Sequence, residues 1–314
     1  MSDELFDFPP VEEAESGQKL LRFLERRLSL PSNLLHRWIR TGQIRRNGKR
    51  CKPFERVAVG DIVRLPPFAA QLSEQSREDE LSAVSPETPS LPPLIGEIDG
   101  LRAYFKPVGM PVQPGSDHDD ALSARLVAAC PELRFKPTPC HRLDKDTSGA
   151  ILVACSYEAL RRAQEWLANG LARKEYLAWV EGDWPYDGPR LLRHFLRKET
   201  RENMTKMRAY KSPVPYAKES LCVVRPLRRS DGKTLLQIWL RTGRTHQIRA
   251  QLAAVGFPVV GDEKYGKPGA LSLHSMRIIL PDGAEFVCAP EWDSESSVGE
   301  LPPPIPVDVE APEI

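Results

Sequence analysis

Residues 67–97 divide the chain into two parts that are predicted to fold separately. This segment is rich in Ser, Glu and Pro, and its apolar residues follow neither a helical nor a strand period. Because such a composition buries too little apolar surface to offset the entropy of ordering, the segment is predicted to be a disordered linker. It separates a module at 17–66 from a larger domain at 98–290.

The two ends of the chain are short acidic segments. Residues 1–16 carry six acidic side chains and residues 291–314 carry seven, and neither segment contains Lys or Arg. The second one ends in the proline-rich run LPPPIPVDVEAPEI. High net charge with few core-forming residues is typical of unfolded segments, so a disordered leader and a disordered tail are predicted.

Charge is segregated along the chain, although the net charge is only +1. Residues 17–66 hold 13 Lys and Arg against 3 Asp and Glu, a net charge of +10. Residues 98–290 hold 30 against 21, a net charge of +9. Basic blocks of this kind neutralise phosphates and release counterions, so the pattern favours nucleic acid as the partner.

The cysteines and the apolar runs bear on location. None of the six cysteines forms a C-x-x-C pair, so reduced thiols are predicted and a zinc site is not. The N-terminus has no apolar signal segment, and no apolar run approaches the ~20 residues of a membrane span. A cytoplasmic protein without a membrane partner is therefore expected. It is also expected to be a monomer.

The basic module has the pattern of two helices followed by short strands. Apolar residues recur at helical spacing in 20–28 and 34–39, and Gly42 marks the end of the second helix. Asn47-Gly48 between short basic runs predicts a two-residue hairpin, and 62–65 predicts a further strand. Trp38 could stack on a base, but its place on the apolar helix face favours a core position.

This order of elements resembles the S4-type RNA-binding domain. The resemblance is carried by IRTGQIRRNGKR at 39–50 and VGDIVRL at 59–65. It implies a small α/β module that binds RNA. The basic residues of its second helix and its strands are the candidates for phosphate contacts. They are Arg40, Arg45, Arg46, Lys49 and Arg50.

The larger domain is predicted to be α+β with a largely antiparallel mixed sheet. Short β-type runs dominate it, at 151–154, 176–180, 234–240 and 276–280. Helical patterns interrupt them at 123–130, 156–168 and 245–255. The densest polar cluster, CHRLDKDTSG at 140–149, leads directly into the first of these strands. A polar loop entering a buried strand is a common place for a site, because the strand fixes the geometry of the loop.

HRLDKDTSG at 141–149 resembles the signature of the RluA-type pseudouridine synthases. Further segments match that family in order. They are KPVGMPVQPG at 106–115, RKEYLAWVEG at 173–182, LRTGRTHQIRAQLAAVGFPVVGDEKYG at 240–266 and LHSMRI at 273–278. An S4-type domain before such a catalytic domain is a known arrangement in the family. The resemblance covers nearly all of 98–290 and implies an enzyme that isomerises uridine in structured RNA.

The resemblance assigns four residues to the site. Asp144 would be the catalytic carboxylate, and Arg249 would pair with it and hold it ionised. Tyr176 would pack against the flipped base, and Arg142 would help to hold the RNA open. The family often has His where Gln251 stands, which leaves the role of Gln251 open.

The reaction explains why these residue types are needed. Pseudouridine forms when the N1–C1′ bond breaks, the base turns and C5 joins C1′, so no redox or nucleotide cofactor is required. An ionised carboxylate is needed, to attack covalently or to drive a glycal-type elimination, and a neighbouring Arg keeps it charged. The base has to leave the stack, and an aromatic wall then holds it. The residues leave the choice between the two mechanisms open.

Other segments of the sequence could also form a site, but each has a structural interpretation that fits its residues better. Asp146 is the rival carboxylate, but its place before Ser148-Gly149 is typical of a turn. GDEKYGKP at 261–268 begins like a phosphate-binding loop but has Pro268 where Ser or Thr should stand. The histidines of the matched segments, His141, His246 and His274, lack ligand spacing and are predicted to be hydrogen-bonded structural residues, with no metal.

Large-subunit ribosomal RNA is the favoured substrate, because S4-bearing members of the family often act there, and transfer RNA is the alternative. A second alternative is a non-catalytic RNA-binding or ribosome-assembly factor that keeps the fold. An RNA N-glycosidase, which would release free uracil, is a third. The presence of Asp144, Tyr176 and Arg249 together favours the synthase.

Overall fold

The described residues form two β-sheets, and each packs on a hydrophobic core of its own. The computed structural model describes residues 6–7, 9–28, 30–69, 71–73, 90–114, 120–201, 204–293 and 296–314. A four-stranded sheet belongs to the N-terminal module, and an eleven-stranded sheet forms the larger domain. Among the described residues, no helix has the length and apolar character that crossing a membrane requires.

The N-terminal module packs two helices against an antiparallel sheet with the strand order β1-β4-β2-β3. Its elements are β1 (Phe6–Asp7), α1 (Leu20–Leu28), α2 (Ser32–Thr41), β2 (Arg45–Arg46), β3 (Lys49–Arg50) and β4 (Val63–Leu65). Asn47 and Gly48 both have positive φ, which is the geometry of the predicted tight hairpin. Gly42 closes α2 in the left-handed conformation, and Trp38 is 2% exposed in the core, so both predictions are confirmed.

The larger domain, where the structure describes it, is a mixed, mostly antiparallel sheet with three helices, which confirms the predicted α+β class. Its strands are β5 (Leu94–Ile98), β6 (Leu101–Lys106), β7 (Thr138–Pro139), β8 (Ser148–Ala154), β9 (Arg173–Glu181), β10 (Arg190–Arg201), β11 (Met204–Tyr210), β12 (Lys218–Ser230), β13 (Lys233–Leu240), β14 (Leu273–Ile279) and β15 (Glu285–Val287). Its helices are α3 (Leu122–Ala129), α4 (Tyr157–Ala168) and α5 (Gln247–Ala254). The main strand order is β11-β10-β12-β13-β9-β14-β8-β6-β5.

One parallel strand pair brings distant sequence motifs together. Strand β14 pairs in parallel with β8, with His274 opposite Ser148 and Ser275 opposite Gly149. Gly149 has φ +110°, and a Cβ there would lie 2.3 Å from the Ser275 carbonyl oxygen. Only glycine allows this approach, so Gly149, the second residue of β8, fixes how closely the two strands lie.

The acidic leader is part of the fold where the structure describes it, which corrects the prediction of disorder for 1–16. Strand β1 pairs with β4, and the Glu15 side chain is buried in an ion pair with Arg27. Arg134 of the larger domain pairs with Glu12 at 3.0 Å. The acidic residues serve as partners for the basic ones of the module, which is why their charge does not imply disorder. Residues 1–5 and 8 lie outside the described residues.

The linker prediction needs a smaller correction. Residues 74–89 lie outside the described residues, so the prediction for them stands untested. Strand β5, however, begins at Leu94 and pairs with β6 inside the segment assigned to the linker. Leu91 also packs against the main core. The larger domain therefore begins before residue 98.

The tail at 291–314 is ordered where described, and the prediction of a disordered tail is wrong. Ile305 is fully buried, and its N–H donates to Glu175 at 3.0 Å. Arg277 donates to the Pro302 carbonyl at 3.0 Å. The backbone of Glu313 forms an isolated parallel β-bridge with Leu191 of β10. Prolines have no N–H to satisfy, so a proline-rich run can lie along a sheet face as a strip of carbonyl acceptors for buried arginines.

Candidate active site

The loop that carries Asp144 is fastened to strand β6 by a buried lysine. Lys106 is fully buried, and its Nζ donates to the carbonyls of Pro107, Met110 and Lys145 at 2.8, 2.9 and 2.9 Å. The Thr147 N–H donates to the Asp144 carbonyl at 3.1 Å, which closes a turn. Burial lowers the pKa of Lys106 to about 8. The three carbonyls hold the loop in one conformation and so orient its carboxylate.

The loop borders a cavity of about 240 Å³, which it shares with β9, the end of β13 and the N-terminus of α5. The four residues assigned by the resemblance line it together with further polar groups. These lining residues are Asp144, Tyr176, Arg249, Arg142, Lys174 and His246. Asp146 is exposed and is absent from the lining, as expected for a turn residue.

Arg249 bridges two carboxylates. Its Nη1 lies 3.4 Å from Asp144 Oδ2, while Nε and Nη2 each donate to Asp262 at 2.7 Å. Burial alone lowers the pKa of Arg249, but the bonds to Asp262 and the charges of both aspartates outweigh it and raise the pKa. Asp262 therefore fixes the guanidinium, and the Nη1 group, which Asp262 does not use, faces Asp144. Asp144 itself keeps 18% of its side chain exposed toward the cavity.

Asp262 is not among the residues predicted from the sequence, although it lies in the matched segment 240–266. Gly261 before it has φ +75°, and a Cβ there would lie 2.0 Å from the Ala270 carbonyl oxygen. Glycine is thus needed for a tight turn between backbone segments. The turn places Asp262, which is fully buried, where it accepts the N–H groups of Lys264 and Tyr265 as well as Arg249. The only signal for it was an Asp in a glycine turn.

His246 and Tyr265 complete the surroundings of the carboxylate. His246 caps α5 with a left-handed φ of 50°, a strained conformation for a residue with a side chain. Its Nε2 lies 3.9 Å from Asp144 Oδ2, and its Nδ1 lies 3.1 Å from the Tyr265 hydroxyl. Burial lowers the pKa of His246, with the Asp144 charge acting against that shift. A neutral imidazole beside Asp144 follows at physiological pH.

Tyr176 forms an aromatic wall of the cavity from strand β9. It is 5% exposed, and burial raises the pKa of its phenol well above the ordinary value, with the Asp144 charge adding to the effect. The ring is therefore uncharged at physiological pH. A neutral aromatic side chain next to a carboxylate can hold a base by stacking.

The other two histidines of the matched segments have structural hydrogen bonds, as predicted. His141 Nε2 accepts the Leu152 N–H at 3.1 Å, and burial lowers the His141 pKa to about 3. His274 lies between the Ser148 hydroxyl at 2.8 Å and the Cys288 carbonyl at 3.0 Å, and burial lowers its pKa to about 4. Both are neutral and tie the loop to β8 and β14.

Gln251 has a structural place as well. It is fully buried, and its amide donates to the carbonyls of Leu192 and Ser220 at 3.1 Å each. It joins α5 to strands β10 and β12. The departure from the family pattern at this position therefore lies away from the cavity.

The basic residues of the module divide into two groups. Arg40 and Arg50 line a second cavity of about 680 Å³. Arg37 and Lys52 line it as well, although they are not among the phosphate contacts predicted from the sequence. The other three predicted contacts lie on the hairpin. Arg45 and Lys49 are exposed there, but Arg46 is half-buried and pairs with Glu55 and Asp61 at 3.4 Å each. Arg46 is thus the least available of the predicted phosphate contacts.

These features define the class of the protein. It has an α+β fold, and its cavity combines a carboxylate, a buried arginine that contacts the carboxylate and an aromatic side chain in the wall. Residues 102–254 match the family model described as RNA pseudouridylate synthase. The chain is 35% identical over 262 residues to ribosomal large subunit pseudouridine synthase C of Escherichia coli, covering 80% of this chain and 77% of the relative. The protein of that name from Vibrio cholerae is 32% identical over 265 residues, covering 82% and 80%.

A solved structure agrees with the relatives. Human RNA pseudouridylate synthase domain containing 1 superposes with a TM-score of 0.53 at 26% identity, covering 66% of this chain and 86% of that one. Human RNA pseudouridylate synthase domain containing 4 has the same fold, with a TM-score of 0.52 at 20% identity, covering 63% of this chain and 88% of that one. The chain belongs to the RNA pseudouridine synthase family, and its enzyme class is that of an isomerase.

Proposed function

We propose that the protein converts specific uridines of large-subunit ribosomal RNA to pseudouridine, with Asp144 as the catalytic carboxylate. The observation that carries the proposal is the Asp144 carboxylate, which borders the cavity with Arg249 at 3.4 Å and Tyr176 in the same wall. The names of the relatives, ribosomal large subunit pseudouridine synthases, support this choice of RNA. Transfer RNA remains the alternative substrate.

The charges around Asp144 suit the reaction. The Arg249 guanidinium places a positive charge 3.4 Å from Asp144, and Asp262 keeps that guanidinium from forming a closed bidentate pair with Asp144. One carboxylate oxygen stays available for the ribose or the base. Arg142 is exposed at the rim of the cavity, where it can contact the RNA from which the uridine has left.

The basic module is proposed to bind the same RNA. Its +10 charge and the arginines of the second cavity support a role in gripping phosphates, as does its resemblance to S4-type domains. Contacts such as Arg134 with Glu12 join it to the larger domain. A monomer could then hold a structured RNA at two places without any cofactor.

The test uses the purified protein and ribosomal RNA transcripts labelled with tritium at C5 of uridine. Formation of the C5–C1′ bond expels the C5 hydrogen, so each turnover releases tritium. Wild type and Asp146→Asn are expected to release it, while Asp144→Asn is expected to release none. Release by Asp144→Asn at the wild-type rate would contradict the role of Asp144. Free uracil instead of pseudouridine would identify an N-glycosidase.

A further inference from the structure

Lys174 is a buried cation in the cavity wall, without a partner among the residues that the structure describes. It lies on β9, is 9% exposed and lines the same cavity as Asp144. Within the described part of the chain, no residue forms a hydrogen bond or ion pair with its Nζ. Lys106, which is also buried, instead donates to three carbonyls. Since lysines are rarely buried without a partner, Lys174 points to a ligand that is bound only during function.

The position of Lys174 places it next to the proposed base wall. Lys174 and Tyr176 are two residues apart on one strand, so their side chains leave the same face of the sheet. A Cβ at Gly243 would lie 3.2 Å from the Lys174 Nζ, so the ammonium reaches across to the loop before α5. Its charge also lowers the pKa of His141, which places it near the Asp144 loop.

We propose that the Lys174 ammonium contacts a carbonyl oxygen of the target uracil and stabilises the negative charge that the base gathers when the N1–C1′ bond breaks. The proposal rests on the proposed function. The bonding pair leaves C1′ with the base and is shared with the carbonyl oxygens. It then forms the C5–C1′ bond, C5 loses its proton and N1 gains one, while Lys174 keeps its own proton throughout.

A phosphate is the other anion that a lysine could meet, and the location argues against it. Arg142 and Arg244 are exposed at the rim of the cavity, where the backbone of a bound RNA would be within their reach. Lys174 is buried on the face that carries Tyr176. A desolvated charge aimed at the place where charge develops is worth more than one that contacts a phosphate in water.

The first test compares wild type, Lys174→Met and Lys174→Arg in single-turnover reactions on the RNA substrate. Lys174→Met is expected to slow the chemical step about 100-fold, with little change in RNA affinity, and Lys174→Arg to restore much of the rate. Burial lowers the pKa of Lys174 to about 8, so the wild-type rate should fall as the pH rises through about 8. Arginine should remove this alkaline limb.

A structural role would behave differently. Methionine removes an unpaired buried charge, so the melting temperature of Lys174→Met is expected to equal or exceed that of wild type. A lowered melting temperature with an unchanged rate would overturn the proposal. Weaker RNA binding with an unchanged rate would identify a phosphate contact and would overturn it as well.

The second test asks whether Lys174 contacts the base itself. The target uridine is replaced by 2-thiouridine or 4-thiouridine, in which a sulfur is a poorer acceptor than the oxygen. One of the two should slow wild type but add no further loss to Lys174→Met. Equal slowing of both proteins by both analogues would overturn the proposal. Absence of pseudouridine with wild type and natural RNA would instead refute the proposed function.

Discussion

Asp262→Asn tests whether a buried ion pair holds the site together. Asp262 is fully buried and uses both oxygens on Arg249, each at 2.7 Å. Breaking one partner of a buried pair leaves an uncompensated charge and typically costs about 3–5 kcal/mol. Asparagine keeps an oxygen that can accept one of the bonds, so a loss near the lower end, about 3 kcal/mol, is expected.

The matched control is Asp120→Asn. Asp120 also pairs with an arginine through both oxygens, at 2.7 and 2.6 Å to Arg125, but more than half of its side chain is exposed. Exposed pairs contribute about 0–1 kcal/mol, because water screens the charges and the side chains lose entropy. The two variants therefore share the chemistry of the substitution and differ in burial.

The assay is equilibrium unfolding in urea, with the stability of each variant compared with that of wild type. Asp262→Asn is also expected to slow tritium release, because Arg249 is no longer held in place beside Asp144. The reasoning is refuted if Asp262→Asn loses no more stability than Asp120→Asn. A normal reaction rate in Asp262→Asn would show that the anchoring of Arg249 is unimportant for the reaction.

Three further results are expected. Gly149→Ala should destabilise the protein by several kcal/mol in urea unfolding, because its Cβ would lie 2.3 Å from the Ser275 carbonyl; a change under about 0.5 kcal/mol, as at ordinary surface sites, would contradict this. Burial lowers the pKa of His274 to about 4, so the neutral imidazole contributes to the stability of the fold above its ordinary pKa, and this contribution is lost as the pH falls toward 4. His274→Gln should therefore reduce the slope of stability against pH between about 7 and 4, and an unchanged slope would refute this. Deleting residues 1–66 should weaken RNA binding and its salt dependence while the larger domain stays folded, and an unchanged salt slope would exclude the basic block as a phosphate grip.

Features that depend on neighbouring residues could be predicted from the sequence. The Asn47-Gly48 hairpin and the Gly42 helix end are local signals, and the structure has both. The helix predicted at 156–168 is α4, capped by the Ser156 hydroxyl, which accepts the Ala159 N–H. The α+β class followed from strand and helix periods together with the family resemblance.

Features that depend on distant residues could not be predicted from the same signals. Whether the tail is ordered depends on Glu175, which is 130 residues from its partner Ile305, and on Arg277, which is 25 residues from its partner Pro302. Asp262 has its role only because a tight turn faces it toward Arg249. In the sequence, Lys174 is one charged residue in a predicted strand. Only the structure shows that it is buried without a partner among the described residues. Composition gives charge and apolarity, but not which groups meet.

The central claim, that Asp144 of this protein makes pseudouridine in ribosomal RNA, is tested most directly in cells that lack the gene. Pseudouridines in total RNA are mapped by carbodiimide labelling and primer extension, beside cells rescued with wild type or with Asp144→Asn. We predict that specific sites in large-subunit ribosomal RNA vanish in the deletion and return only with wild type. Return of the sites with Asp144→Asn would contradict the account, and sites lost from transfer RNA alone would contradict the choice of substrate.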